Sequence, residues 1–330
     1  MKNEWPPVFI LGTPRSGTTL LRLILDSHPD IAITPESSFF FRVKSLWEGL
    51  YPDLNDVENI RSLIDDLHTM PQIKDWIPKS CTFQSIMEGR EREGFDSLAA
   101  FIDKFFGLYA ESKSKHRWGD KTPKNLHSVE QILELFPSAK ILMMVRDCRD
   151  VTISLNKADF SKVSYLSAAR RWQMDADIAQ KYLKQNNDQI YLLRYEDLLL
   201  NPSQVIKSVL SFLNLSDDPE IMKRYVEHED DVVHTKSSLY MKPIEIDNLY
   251  KWKKEMSVSD VAECEAIARN GLVYFGYEVS ESISTVSRVK VFIYRIKDLL
   301  QLLVNSKNME NYYVYIRLLI KSFLRRCGIR

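Results

Sequence analysis

Only four cysteines occur in 330 residues, at positions 81, 148, 264 and 327, and no two of them stand in a Cys-x-x-Cys spacing. That scatter offers neither a zinc site nor a disulfide framework, and no metal is expected. No run approaches the roughly 18 uncharged apolar residues of a membrane-crossing helix. The opening Met1-Lys2-Asn3-Glu4-Trp5-Pro6-Pro7 also lacks the apolar stretch of a secretion signal. Neither sign of charge is in excess, since 45 Lys and Arg face 45 Asp and Glu. So balanced a chain has no electrostatic reason to bind nucleic acid. Internal repeats and low-complexity segments are absent as well.

The overall balance hides one asymmetry. From Glu281 onward there are ten Lys or Arg and three acids. In that tail Val289, Phe292, Ile293, Ile296, Leu299, Leu300 and Leu303 recur at helical spacing, as do Met309, Tyr312, Tyr313, Ile316, Leu319, Ile320, Phe323 and Leu324. A helical hairpin docked on the body or on a second subunit is expected there, with peripheral contact to an anionic membrane as the alternative.

What the sequence does have is Val8-Phe9-Ile10-Leu11-Gly12-Thr13-Pro14-Arg15-Ser16-Gly17-Thr18-Thr19-Leu20. Four apolar residues read as a buried strand, two glycines bracket a tight turn, and a helical pattern begins at Thr18 and runs to Leu25. Such a turn is an anion cradle, because unpaired backbone N–H groups and the helix dipole converge on it. The glycine spacing is that of the phosphate-binding loop Gly-x-x-x-x-Gly-Lys-Ser/Thr. Here, however, Thr18 stands in the lysine's place, and the cation, Arg15, lies inside the loop.

Further strands are expected at Ile31–Thr34, Lys140–Val145 and Ile190–Arg194, the second at the centre of a parallel sheet. Trp118–Asn125 reads as a turn leading into a helix over Leu126–Phe136. Other helices are expected from Asp147 or Cys148 to Leu155, and over Ser167–Lys184, Pro202–Leu213, Asp217–His228 and Val258–Asn270. Residues 37–116 read as a helical insertion rich in aromatics (Phe39, Phe40, Phe41, Trp47, Phe95, Phe101, Phe105, Phe106), which serve either as an acceptor pocket or as plain core. In open α/β sheets ligands bind at the carboxyl ends of strands, so Arg15 and Arg146 should face one crevice.

Pro14-Arg15-Ser16-Gly17-Thr18-Thr19-Leu20, followed by Asp26-Ser27-His28-Pro29, resembles the 5′-phosphosulfate loop of sulfotransferases that use 3′-phosphoadenosine 5′-phosphosulfate (PAPS). The resemblance runs from about Pro7 to Tyr277 and is nearest to the branch holding bacterial carbohydrate-type and tyrosylprotein enzymes. It implies an α/β, P-loop-type three-layer fold with a central parallel sheet flanked by helices. The sulfotransferase domain would span 1–280, with the insertion over 37–116 on the acceptor side and the basic amphipathic tail over 281–330. A cytoplasmic, bacterial protein is expected, with contact at the inner membrane face as an option, since the Golgi members carry an anchor before this loop.

The resemblance also assigns roles. Arg15, Ser16, Gly17, Thr18 and Thr19 would cradle the phosphosulfate. Arg146, ending a strand, and Ser154, two helical turns on, would clamp the 3′-phosphate, with Arg149 making structural or rim contacts. Glu36 would be the base, with His116 and His127 as rivals, and Lys121 together with Arg15 would stabilise charge at the leaving oxygen. Lys124 is expected to be a solvated or acceptor-side charge. Tyr195 and Lys251 would touch the nucleotide, and Ser237, Ser238 and Lys242 would lie on a loop closing over it. The expected function is transfer of a sulfuryl group from PAPS to a carbohydrate or glycolipid hydroxyl, releasing PAP. The alternatives are a tyrosylprotein-type enzyme, a P-loop kinase and a non-catalytic PAP-binding protein.

Overall fold

The structure is a computed structural model that describes residues 5–40, 50–51, 53–89, 94–157, 163–227 and 246–281, with isolated positions after 285. Phe41, Trp47, Ser237, Ser238, Lys242 and nearly all of the basic tail lie outside the described residues.

Five strands form one parallel sheet: β1 (Val8–Gly12), β2 (Ile31–Thr34), β3 (Arg117–Lys121), β4 (Lys140–Val145) and β5 (Ile190–Arg194), in the order β2-β3-β1-β4-β5. The sheet is covered on both sides, which is why β1 and β4 read as continuous apolar runs rather than alternating ones. Alternate residues of β1 part to opposite cores. Val8 and Ile10 join Leu21, Ile24, Leu198 and Leu210, from α1 (Thr18–Asp26), α8 (Tyr195–Leu200) and α9 (Pro202–Phe212). Phe9 and Leu11 join the larger core on the other face. That core draws on α2 (Val57–Thr69), α3 (Phe83–Met87), α4 (Leu98–Ser112), α6 (Cys148–Lys157), α7 (Tyr165–Leu183) and α12 (Val258–Tyr274). The remaining described α-helices are α5 (Val129–Leu135), α10 (Ile221–Glu227) and the short α11 (Trp252–Glu255).

The aromatics of 37–116 that the structure describes are core. Phe39, Phe40, Phe95, Phe101, Phe105 and Phe106 are all buried, and Phe106 stacks on Trp118 of β3 with ring centroids 4.9 Å apart. These rings join this region to the sheet in one apolar mass with Phe9, whose ring meets Phe40 and Trp118 edge to face.

Two expectations need correction. Trp118–Asn125 is not a turn: its first half belongs to β3, an interior strand paired to both β1 and β2, and Pro123–Ser128 forms a 3-10 helix before α5. The polar run Arg117-Trp118-Gly119-Asp120-Lys121 hides a strand because its ends serve other purposes. Arg117 braces the lower edge by donating to the carbonyls of Pro6 and Leu213, while Asp120 and Lys121 stand at the upper edge. Gly119 permits the pairing, since a Cβ there would lie 2.8 Å from the Val8 carbonyl oxygen. The second correction concerns Asp217–His228, where the helix begins only at Ile221.

Candidate functional site

The loop Thr13–Gly17 leaves the carboxyl end of β1, between the ends of β3 and β4. Ser16 N–H donates to the Thr13 carbonyl at 3.2 Å and tightens the turn. Arg15 is held at a φ of 74°, a left-handed conformation that costs a non-glycine residue on the order of 1–3 kcal/mol and is retained chiefly where function needs it. Gly17, at φ 88°, caps α1, and a Cβ on it would fall 2.3 Å from the Tyr195 ring. The tyrosine therefore forms the floor beneath the loop rather than its rim.

The two arginines share one cleft. Arg146 Nη1 donates to the Arg15 carbonyl at 3.4 Å, and Arg15 Nε donates to Ser154 Oγ at 2.8 Å. The Arg146 guanidinium lies 4.5 Å from the centre of the Tyr195 ring, a cation–π arrangement. Arg15, Arg146, Ser154 and Tyr195 thus come together. Although Arg15 sits in the loop, its side chain reaches the Ser154 end in this structure.

Lys251 belongs to a segment folded over the same cluster. Arg146 Nη2 donates to the Asn248 carbonyl at 2.8 Å, and Trp252 N–H donates to Asp150 Oδ1 at 2.9 Å. The Trp252 ring covers the Arg149 guanidinium at 3.7 Å. Of its two expected roles Arg149 takes the structural one. It is buried, bonded by a fork to Asp147 and by Nη1 to Glu265, and so fastens α6 to α12. Asp150 pairs with Arg146 at 3.7 Å, and burial raises its pKa although the arginine opposes that rise.

On the other side of the loop, Lys121 Nζ lies 3.9 Å from Glu36 Oε2. The lysine is buried, while the Glu36 side chain is 46% exposed, so the pair opens toward solvent through the carboxylate. Burial lowers the Lys121 pKa, with Glu36 and Asp120 pulling it back up. Strands neighbouring in a sheet lie about 4.8 Å apart, so the ends of β3 and β4, flanking β1, are separated by about 10 Å. The cleft consequently carries a cation at each end, with the loop donors between them. Thr18 and Thr19 open α1 there.

The rival bases are placed poorly. His116 is exposed beside the start of β3, at the opposite edge of the sheet from Lys121. His127 Nε2 is bonded to Asp175 at 2.9 Å, and that bond raises its pKa, which favours the protonated ring over the neutral one a base needs.

Sequence reasoning missed Asp120 as a functional candidate. It is fully buried and receives Thr34 Oγ1 and Thr122 Oγ1 at 3.3 Å each and Asn125 Nδ2 at 2.9 Å. Burial pushes its carboxyl up to about 6. The folded chain therefore holds this proton more tightly than the unfolded one, and folding loses stability as pH rises from about 4 to about 6. Urea titrations of wild type and Asp120→Asn across that window should show the wild-type stability falling relative to the variant. A constant difference would mean that Asp120 is already ionised at its lower end.

Comparison with known proteins now bears on this geometry. Protein-tyrosine sulfotransferase of Drosophila melanogaster is 25% identical over 280 residues, which make up 81% of this chain and 50% of that protein. Protein-tyrosine sulfotransferase 1 of Danio rerio is 24% identical over 294 residues, covering 84% of this chain and 73% of its own length. The chain thus spans between half and three quarters of these two relatives. Among solved structures, the sulfotransferase domain of the Synechococcus olefin synthase superimposes with a TM-score of 0.57 at 20% identity, over 85% of this chain and 98% of that one. The sulfotransferase domain from the curacin biosynthetic pathway gives 0.55 at 20% identity, over 84% and 99%. The likeness to these two structures is one of fold. The profile of the Sulfotransferase family matches residues 6–220, more than half of the sequence, and the chain belongs to that family.

Proposed function

We propose that the chain transfers a sulfuryl group from PAPS to a hydroxyl and releases PAP. The observation that carries this reading is the meeting of Arg15, Arg146 and Ser154 across the ends of adjacent strands, with the Lys121–Glu36 pair on the far side of the loop. The residues fit a nucleotide with an anionic group at each end. Ser16 Oγ and Arg146 Nε are buried and have no hydrogen-bond partner among the described residues. Such atoms are costly unless a ligand oxygen meets them.

The chemistry follows from that placement. The acceptor oxygen attacks sulfur as the bond from sulfur to the 5′-phosphate oxygen breaks, and that electron pair departs with PAP. Glu36 takes the acceptor proton. The Lys121 ammonium and the N–H groups at the start of α1 face the charge gathering on the departing oxygen, in a site where burial strengthens their effect. A kinase reading lacks its lysine, which Thr18 replaces. A purely binding role would leave the Lys121–Glu36 pair without purpose.

Two acceptor classes have support. The bacterial carbohydrate-type resemblance favours a sugar or glycolipid hydroxyl. The relatives named protein-tyrosine sulfotransferases favour a tyrosine hydroxyl on a protein, and theirs is the stronger support. Transfer of labelled sulfate from PAPS to a panel of glycans, glycolipids and tyrosine peptides tests both. Calorimetry with PAP and with ATP tests the nucleotide, and a preference for ATP would overturn the reading. Arg146→Ala should weaken PAP binding by about 2–3 kcal/mol, the scale of charge-assisted contacts to a phosphate, and calorimetry reads this too.

A further inference from the structure

Glu36 and Lys121 come from different strand ends, and their 3.9 Å separation has to be maintained although the Glu36 side chain is half exposed. One buried carboxylate maintains it. Thr34, the last residue of β2, donates its hydroxyl to Asp120 Oδ1 at 3.3 Å. Three residues later the chain is held again, because the N–H groups of Ser37 and Ser38 both point at Thr122 Oγ1 at 3.1 Å. Thr122 in turn donates its proton to Asp120 Oδ1 at 3.3 Å. An ionised carboxylate has only lone pairs, so the Thr122 proton must go to Asp120, and the hydroxyl's own lone pairs must face the two N–H groups. Asn125 fixes the second carboxylate oxygen at 2.9 Å. Ser38 sits at φ 53°, an uncommon conformation that these bonds hold in place. Pro35 and Glu36 are therefore fastened at both ends to Asp120, and Lys121 lies between Asp120 and Thr122 in the chain.

We infer that Thr122, oriented by Asp120, is the positioning residue that holds the Glu36 carboxylate opposite Lys121. The inference rests on the reading of Glu36 as base and adds the device that aims it. Thr122 touches neither donor nor acceptor in this role. Its effect belongs to turnover and not to nucleotide binding, because the Arg15–Arg146–Ser154 cluster hangs from the ends of β1 and β4 and from α6.

The test compares Thr122→Val, which keeps the shape and removes the hydroxyl, with Thr122→Ser, which restores it. Each is made in wild type and in Glu36→Gln. Thr122→Val should lower kcat by about 10- to 100-fold, the cost of misplacing a reacting group by about 1 Å, with PAP affinity unchanged. Thr122→Ser should recover most of that loss. In the Glu36→Gln background Thr122→Val should cost almost nothing further, since there is no base left to aim. Equal losses in both backgrounds, a matching loss of PAP affinity, or wild-type kcat in Thr122→Val would overturn the inference. If Thr122→Val does not fold, Asp120→Asn replaces it with the same outcomes. Wild-type turnover in Glu36→Gln itself would instead remove the base assignment, a separate failure visible before any Thr122 variant is made.

Discussion

Glu36→Gln should lose turnover by about 10²–10⁴-fold, the usual contribution of a positioned base, while binding PAP as the wild type does. Glutamine preserves length and shape while removing the negative charge and with it the capacity to accept a proton. The substituted side chain lies at the Lys121 end, whereas the residues proposed to grip the 3′-phosphate lie just past β4, on α6 and in the 248–252 segment. Nucleotide affinity and turnover should therefore separate, calorimetry reading one and labelled-sulfate transfer the other. Turnover at the wild-type level would mean that another group takes the proton. His127 is a weak substitute, for its bond to Asp175 favours the protonated ring.

The parts of the fold legible in the sequence were those with one task. β1 and β4 are buried on both faces and serve only to pack, so their apolar runs announce them. β3 serves three tasks in five residues: a basic brace below, a ring in the core and two charged groups above. Its composition follows those tasks, and nothing apolar but Trp118 remains to mark a strand. The 3-10 helix at Pro123–Ser128 is similarly obscured, because its proline suits the first turn of a longer helix equally well.

The site divides along the same line. The loop was legible because a tight strand-to-helix turn between two glycines constrains consecutive residues, and local constraints leave motifs. Arg146 and Ser154 were singled out by their resemblance to a family motif, and the fold brings both to Arg15. Asp120, Asp150 and Arg149 act through partners that are remote in the chain: Thr34, Trp252 and Glu265. Only the fold brings these together. Asp120 also illustrates why buried acids escape notice, since in sequence it is one more charge in a turn-like run.

Lys121→Ala should reduce kcat by about 10²–10³-fold, the loss typical when one donor to a developing oxyanion is removed, with a smaller effect on the KM for PAPS. The asymmetry follows from timing, because charge on the departing oxygen is greatest in the transition state. A second readout separates this role from a structural one. Burial lowers the Lys121 pKa, whereas the Glu36 carboxylate raises it. Activity that needs the ammonium must then fall on the alkaline side at a lower pH than an exposed lysine would give. Lys121→Arg, which stays charged far beyond that range, should move the alkaline limb upward even though its forked head fits the site less well. Glu36→Gln should move the limb downward in whatever turnover remains, because the charge that sustains the ammonium is gone. An alkaline limb that ignores both substitutions would show that Lys121 carries no charge used in the reaction, leaving the loop donors and Arg15 to hold the departing oxygen.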